Sequence, residues 1–84
     1  MNYFKNLIIK EIETGASYTL FLCNNGRIYA FGDNEHYQCG INEDEHLEYI
    51  KSPQLLPNIS NINKICCGFS QNLALDIYHK LWVF

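Results

Sequence analysis

The chain has 84 residues, of which 48% are hydrophobic, 14% aromatic and 18% charged, and its net charge is −3. This balance excludes a disordered tail and gives no basic footprint for nucleic acid or for an anionic membrane surface. No apolar run approaches the roughly 18–20 residues of a membrane span, and the N-terminus does not resemble a secretory signal. We therefore expect an intracellular segment, cytoplasmic or nuclear, with no nucleic-acid or membrane partner.

Three short strands are predicted in the first part of the chain, over residues 7–12, 18–23 and 27–31. The second is apolar on both faces, because Leu20 points one way and Phe21 the other, which predicts cover on both sides. The Asn25-Gly26 pair that follows is a strong hairpin signal, since both residue types tolerate positive φ. The connection is too short for a parallel crossover, so these two strands are predicted to be antiparallel.

A polar, acidic connection is predicted over residues 32–52. It opens on side chains that would face a partner, and these form a candidate interaction loop: Asp33, Asn34, Glu35, His36 and Tyr37. A short helical turn over 44–49 is compatible with the sequence of this connection. A fourth strand is predicted over about 53–56, because prolines at the ends of a short run fit an edge strand.

The polar residues do not form a catalytic or metal-binding motif. The sequence after Asp33 lacks the glycine and the closing glutamate of a calcium loop. The histidines at 36, 46 and 79 have no partnering Ser or Cys motif, and the cysteines at 23, 39, 66 and 67 lack Cys-x-x-Cys spacing. We predict free thiols, no metal, no cofactor and no catalytic residue.

The chain repeats itself at a spacing of 53 residues. Residues 12–31 and 65–84 align without a gap and share six identities: Ile12/Ile65, Gly15/Gly68, Ser17/Ser70, Leu20/Leu73, Leu22/Leu75 and Phe31/Phe84. A second set of strands is therefore predicted over 62–67, 72–75 and 81–84. At the turn, Asp76-Ile77-Tyr78-His79 replaces Cys23-Asn24-Asn25-Gly26, so a residue other than glycine must take an unfavourable conformation or the loop must differ.

A fixed period near 50 residues is typical of repeat proteins, and apolar strand faces joined by tight antiparallel hairpins are typical of β-propeller blades. We predict an all-β fold with one antiparallel four-stranded blade and part of a second, the chain being a fragment of a larger propeller. Gly15 and Gly68 are expected to require positive φ or a close backbone approach. The predicted structural repeat positions are Gly15, Gly26, Gly32, Gly40, Gly68, Tyr29, Phe31, Trp82 and Phe84.

The segment GASYTLFLCNNGRIYAFGDNEHYQCG resembles the repeat of the regulator of chromosome condensation family. The matching positions are Thr14-Gly15, Thr19-Leu20-Phe21-Leu22, Gly26, Ile28-Tyr29-Ala30-Phe31-Gly32, Asn34, Gln38 and Gly40, then Ser52-Pro53-Gln54, Cys67-Gly68, Leu73-Ala74-Leu75 and Leu81-Trp82-Val83-Phe84. Four positions depart from the pattern, because Tyr18 and Gln71 replace His, Tyr37 replaces Gly and Cys39 replaces Leu. The resemblance implies a seven-bladed propeller whose functional surfaces are built from loops of the ring.

The same resemblance implies a role in protein binding. We expect an interaction scaffold with a protein partner and without catalysis in this segment. The founding member of the family is a nucleotide exchange factor for the GTPase Ran, so an alternative is part of an exchange factor for a Ran-like small GTPase. A further alternative is the propeller module of a ubiquitin ligase or a kinase.

Overall fold

The computed structural model describes residues 8–36, 38–39, 48–69 and 71–84. These residues form seven strands: β1 (Ile9–Thr14), β2 (Tyr18–Cys23), β3 (Ile28–Asp33), β4 (Tyr49–Leu55), β5 (Ile62–Cys67), β6 (Asn72–Asp76) and β7 (Leu81–Val83). The first sheet has the order β1-β2-β3-β4 and the second β5-β6-β7, with every pair antiparallel. The prediction of a four-stranded blade followed by part of a second is confirmed. The described part of the chain contains no helix with the length and apolarity needed to cross a membrane.

The predicted strand boundaries lie within two residues of the observed ones except at the start of β4. Here the prediction is wrong, because pairing begins at Tyr49, opposite Asp33, and continues with Ile50 opposite Gly32. Ile50 is buried in the core, and this single apolar residue extends the strand into an otherwise polar stretch. The helical turn with which the sequence is compatible over 44–49 does not include Tyr49, which lies in β4, and residues 44–47 lie outside the described residues.

The two sheets repeat the same register. Leu20 lies opposite Ala30, and Leu73, which is 53 residues later, lies opposite Val83. An irregularity at the start of β1 recurs at the same place in β5. The sequence repeat is therefore also a repeat of backbone structure.

The two hairpin turns coincide as well, although their sequences differ. Gly26 donates its N–H to the Cys23 carbonyl at 3.0 Å, and His79 donates its N–H to the Asp76 carbonyl at 3.1 Å. Gly26 has a φ of 79° and His79 a φ of 65°. The first of the two predicted outcomes is thus confirmed: the turn is retained, and His79 takes the left-handed conformation.

The core lies between the stacked sheets, where β5 packs against β1 and β2. The first sheet contributes buried residues such as Leu20 and Ile28, and the second contributes Ile65 and Ala74. Ala74 lies on the opposite side of β6 from Leu73, the repeat counterpart of Leu20. Each sheet therefore presents a different face to the interface, as stacked propeller blades do.

Candidate interaction surface

Three connections lie at one end of the stacked sheets, because successive strands alternate in direction. They join β1 to β2, β3 to β4 and β5 to β6, and we call this region the loop end. Asp33 donates its N–H to the Ser17 carbonyl at 2.9 Å, which ties the first two connections together. The Tyr18 hydroxyl lies 3.3 Å from the Gly68 carbonyl and links both to the third.

A buried polar network joins the two repeat copies beneath the loop end. The Tyr18 hydroxyl donates to Asn72 Oδ1 at 2.7 Å, and Asn72 Nδ2 donates to the Gln38 carbonyl at 2.5 Å. All three residues are buried, so each hydrogen bond satisfies groups that are shielded from water. Desolvation of the phenol, with Cys67 close by, raises the pKa of Tyr18 to about 12. Tyr18 is therefore neutral and donates its proton across the interface between the copies.

The candidate interaction loop divides into an inward part and an outward part. Asn34 is buried, and its Oδ1 accepts the N–H of Cys39 at 3.1 Å, so this side chain holds the connection together. Glu35 and His36 are exposed, and their N–H groups donate to Asp33 Oδ1 and Gln38 Oε1 at 3.0 and 2.7 Å. Tyr37 lies outside the described residues. The loop backbone is thus held from within while Glu35 and His36 face solvent.

Phe69 was not singled out from the sequence, yet it is the most exposed large apolar side chain described, at 82%. It lies in the β5–β6 connection at the loop end. Glu35 and Glu48 are exposed in the neighbouring β3–β4 connection. The repeat alignment could have singled out Phe69, because the corresponding residue of the first copy is the small Ala16.

The predicted glycine positions serve different purposes. Gly26 and Gly32 have positive φ values of 79° and 113°. Gly15 is required by space, because a Cβ there would collide with the Tyr18 ring and would lie 2.8 Å from the Gly68 carbonyl oxygen. A Cβ on Gly68 would lie 3.3 Å from the Gln71 carbonyl oxygen, which is a milder contact. Gly40 lies outside the described residues.

The four predicted aromatic positions lie on or beside the sheets. Tyr29 and Phe31 are half-buried on β3, and the Phe31 ring lies 5.5 Å from that of Phe21. Trp82 lies on β7, and Phe84 packs against the core. These aromatic side chains therefore belong to the sheets and their packing rather than to the loop end.

The thiols of all four cysteines are free. Burial raises the pKa of the Cys39 and Cys67 thiols to about 11, so both are protonated at neutral pH and are poor nucleophiles and metal ligands. Among the described residues, no group of three or more His, Cys, Asp or Glu side chains is placed to hold a metal ion. The buried Cys39 and Cys67 thiols therefore serve as packing groups.

A second polar cluster, also missed from the sequence, holds the β6–β7 turn at the other end of the sheets. Asp76 Oδ1 accepts the N–H groups of Tyr78 and Lys80 at 2.8 and 2.9 Å, and Oδ2 accepts Trp82 Nε1 at 3.0 Å. Desolvation acts to raise the pKa of the Asp76 carboxyl, but these hydrogen bonds outweigh it and hold that pKa below its usual value. The ionised carboxylate is thus part of the turn.

Comparison with known proteins gives matches along the chain. The model of the regulator of chromosome condensation (RCC1) repeat matches residues 25–75, and a second model of that repeat matches residues 9–38. Protein pim1 of Schizosaccharomyces pombe is 30% identical over 88% of the chain, and a protein RCC2 homolog of Xenopus laevis is 35% identical over 95%. The chain spans 16% and 15% of the lengths of these relatives.

Solved structures share the fold. The crystal structure of Prp20p from Saccharomyces cerevisiae superposes with a TM-score of 0.85 at 21% identity, covering 94% of this chain and 20% of Prp20p. Human WBSCR16 superposes with a TM-score of 0.77 at 19% identity, covering 92% of this chain and 20% of that protein. With two RCC1 repeat models matched and one blade stacked on part of a second, the chain belongs to the regulator of chromosome condensation repeat family.

Proposed function

We propose that the chain is a non-catalytic, intracellular protein-binding segment of an RCC1-type propeller, and that it binds its partner through the loop end. The observation that carries this proposal is Phe69, a large apolar side chain that is 82% exposed at the same end of the sheets as the exposed Glu35 and Glu48. Exposed apolar groups with a charged rim are typical of protein-binding surfaces. The exposed carboxylates of Glu35 and Glu48 favour a partner with basic side chains around an apolar recess.

Hydrogen bonds within the β3–β4 connection support this choice of surface. Asn34 and Gln38 use their side-chain oxygens to hold the β3–β4 connection, so the exposed Glu35 and His36 are displayed on a fixed backbone. A surface held in place before binding loses less conformational entropy when the partner docks. The loop end therefore combines an exposed apolar side chain with the exposed Glu35 and His36 side chains, whose own backbone N–H groups are hydrogen-bonded.

A site-specific photocrosslinker tests this surface in cells that express the protein. We expect a crosslinking amino acid in place of Phe69 to capture one or a few discrete partner proteins. The matched control is the same amino acid in place of Ile77, which is also an exposed apolar residue but lies at the other end of the sheets. Glu35→Lys should reduce capture from position 69. Equal capture from positions 69 and 77, or capture that Glu35→Lys leaves unchanged, would contradict the proposal.

A second candidate is part of an exchange factor for a Ran-like small GTPase. It is favoured by the likeness to Prp20p, a protein studied for its binding to Gsp1p and histones. The two candidates are separated by the rate of nucleotide release from Gsp1p in the presence of the full-length protein. Accelerated release supports the exchange factor, and an unchanged rate supports the scaffold alone. A third setting, the propeller module of a ubiquitin ligase, draws on the 28% identity to the probable E3 ubiquitin-protein ligase HERC6 of Homo sapiens.

A further inference from the structure

Gln38 lies at the junction between the candidate interaction loop and the second repeat copy, and it is buried. Its side-chain Oε1 accepts the N–H of His36 at 2.7 Å, and its main-chain carbonyl accepts Asn72 Nδ2 at 2.5 Å. His36 belongs to the first copy, whereas Asn72 is the first residue of β6 in the second. One buried residue therefore ties the loop to the neighbouring sheet.

The side-chain amide of Asn72 has one orientation that satisfies its neighbours. The Gln38 carbonyl can only accept a hydrogen bond, so the NH₂ group of Asn72 must face it. Asn72 Oδ1 then lies 2.7 Å from the Tyr18 hydroxyl, which must donate. Because burial raises the pKa of Tyr18 to about 12, that hydroxyl keeps its proton at neutral pH. The hydrogen bonds therefore run in one direction, from Tyr18 through Asn72 to Gln38.

The repeat pattern does not account for an asparagine at position 72. The corresponding residue of the first copy is Thr19, which lies in β2. Threonine is enriched in strands and asparagine is depleted, and a buried amide is costly unless it is hydrogen-bonded. The amide of Asn72 reaches one bond further from Cβ than a threonine hydroxyl would, and this reach brings it to the Gln38 carbonyl. Asn72 therefore serves the loop rather than the strand.

We propose that Asn72 is a positioning residue for partner binding, because it holds the candidate interaction loop in place from inside the interface between the two copies. The inference rests on the proposed function of the loop end and adds a residue outside the loop that sets the loop's geometry. Without the bond from Asn72, Gln38 is no longer held, and its hydrogen bond to the His36 N–H weakens. Glu35 and His36 then sample more conformations, so binding costs more conformational entropy.

Hydrogen exchange of the full-length protein tests this role without a partner. Asn72→Asp keeps the shape of the side chain, but its ionised carboxylate cannot donate to the Gln38 carbonyl. We expect the protection factor of the His36 N–H to fall about tenfold, while the N–H groups of β2 and β3 keep their protection. The matched control is Asn25→Asp, which makes the same chemical change in the exposed turn after β2, where an oxygen can still accept the N–H of Arg27.

The pH dependence of this protection identifies the missing donor. The titratable groups that act on the network are a phenol, thiols and carboxylates: Tyr18, Cys39, Cys66, Cys67, Glu13 and Asp33. Burial among them should raise the pKa of a carboxyl at position 72. A protonated carboxyl can donate to the Gln38 carbonyl again, so the protection in Asn72→Asp should recover between about pH 8 and about pH 5. Asn72→Thr buries no charge, so it serves if Asn72→Asp does not fold, and its protection factor should stay low at every pH.

Partner capture then connects the loop to binding. With the crosslinking amino acid in place of Phe69, Asn72→Thr should reduce capture by the full-length protein about threefold, and Asn25→Asp should leave capture unchanged. Unchanged protection of the His36 N–H in Asn72→Thr, an equal loss in Asn25→Asp, a loss shared equally by β2 and β3, or unchanged capture despite lost protection would overturn the positioning role. A wild-type protein that captures no partner would contradict the proposed function alone, because the protection factors are measured without a partner.

Discussion

The turn after β2 and the turn after β6 have the same backbone but hold it with different side chains. In the first, Gly26 takes the left-handed conformation, and Asn25 Oδ1 accepts the N–H of Arg27 at 3.0 Å. In the second, His79 takes that conformation, and Asp76 Oδ1 accepts the N–H of Lys80 at 2.9 Å. Arg27 and Lys80 are repeat counterparts, so the same N–H is satisfied from two different turn positions.

This difference shows which properties of the blade are repeated. The pairing of β2 with β3 and of β6 with β7 fixes where the chain must reverse. The N–H groups of the turn then need an acceptor, because an N–H that is shielded from water without a partner is costly. Different side chains can supply that acceptor. The backbone geometry is therefore common to both copies, while the residues that support it are local solutions.

The largest asymmetry between the copies is expected at Gly15 and Gly68. Gly15→Val should lower the free energy of unfolding by about 3 kcal/mol, because the new side chain would collide with the Tyr18 ring and the Gly68 carbonyl. Gly68→Val should cost only about 1 kcal/mol, since its Cβ would meet the Gln71 carbonyl at 3.3 Å. Urea unfolding at a fixed protein concentration measures both. Equal losses would show that Tyr18 does not set the difference between the copies.

Most of the fold was predictable because its determinants are local. The apolar residues on both faces of β2 and the Asn25-Gly26 signal define a hairpin within ten residues of one another. The repeat then extends that hairpin to β6 and β7 without further information. The start of β4 could not be found this way, since Ile50 becomes part of the strand only through its pairing with the distant Gly32.

The candidate site was less predictable because its contacts are distant in sequence. Tyr18 and Asn72 are 54 residues apart, and Asn72 and Gln38 are 34 apart. No periodic pattern links such residues, and each one taken alone is compatible with a solvent-exposed role. Asn34 illustrates this limit: the sequence groups it with the loop side chains that would face a partner, whereas its burial and its bond to the Cys39 N–H show that it faces inward. The role of Glu35, His36 and Phe69 in binding remains a prediction.

The next largest effect is expected at Asp76, whose carboxylate takes the place of the Cys23 thiol in the second copy. Asp76→Ala should lower the unfolding midpoint more than Asp76→Asn. Asn can keep an oxygen toward the N–H groups of Tyr78 and Lys80, but its NH₂ would then face Trp82 Nε1, another donor. The emission maximum of Trp82, the one tryptophan of the sequence, should therefore shift in both variants. If Asp76→Asn left that emission unchanged, the carboxylate–indole bond would have no role in the turn.

The pH dependence of stability provides an independent check on Asp76. Its pKa is lower in the folded chain than its ordinary value of 3.8. The stability that it contributes is thus fully present above the unfolded pKa and is lost as the pH falls through the folded pKa. We expect the unfolding midpoint of the wild-type chain to fall more steeply below about pH 4 than that of Asp76→Asn. Parallel curves for the two proteins would contradict this assignment.

The smallest effect on stability is expected at position 79, where the second copy has a histidine and the first copy has Gly26. His79→Gly should raise the free energy of unfolding by about 0.5–1 kcal/mol, because glycine takes a φ of 65° without steric cost. The matched control is Tyr78→Gly in the same turn. Tyr78 is exposed and is not among the residues with positive φ, so glycine there adds only freedom to the unfolded chain and should lower stability by a similar amount. Thermal unfolding of both variants at one protein concentration gives the comparison. A gain in stability for His79→Gly with a loss for Tyr78→Gly would show that the second copy retains a turn suited to glycine. A loss of stability in both variants would mean that His79 makes contacts in the turn that outweigh its backbone strain.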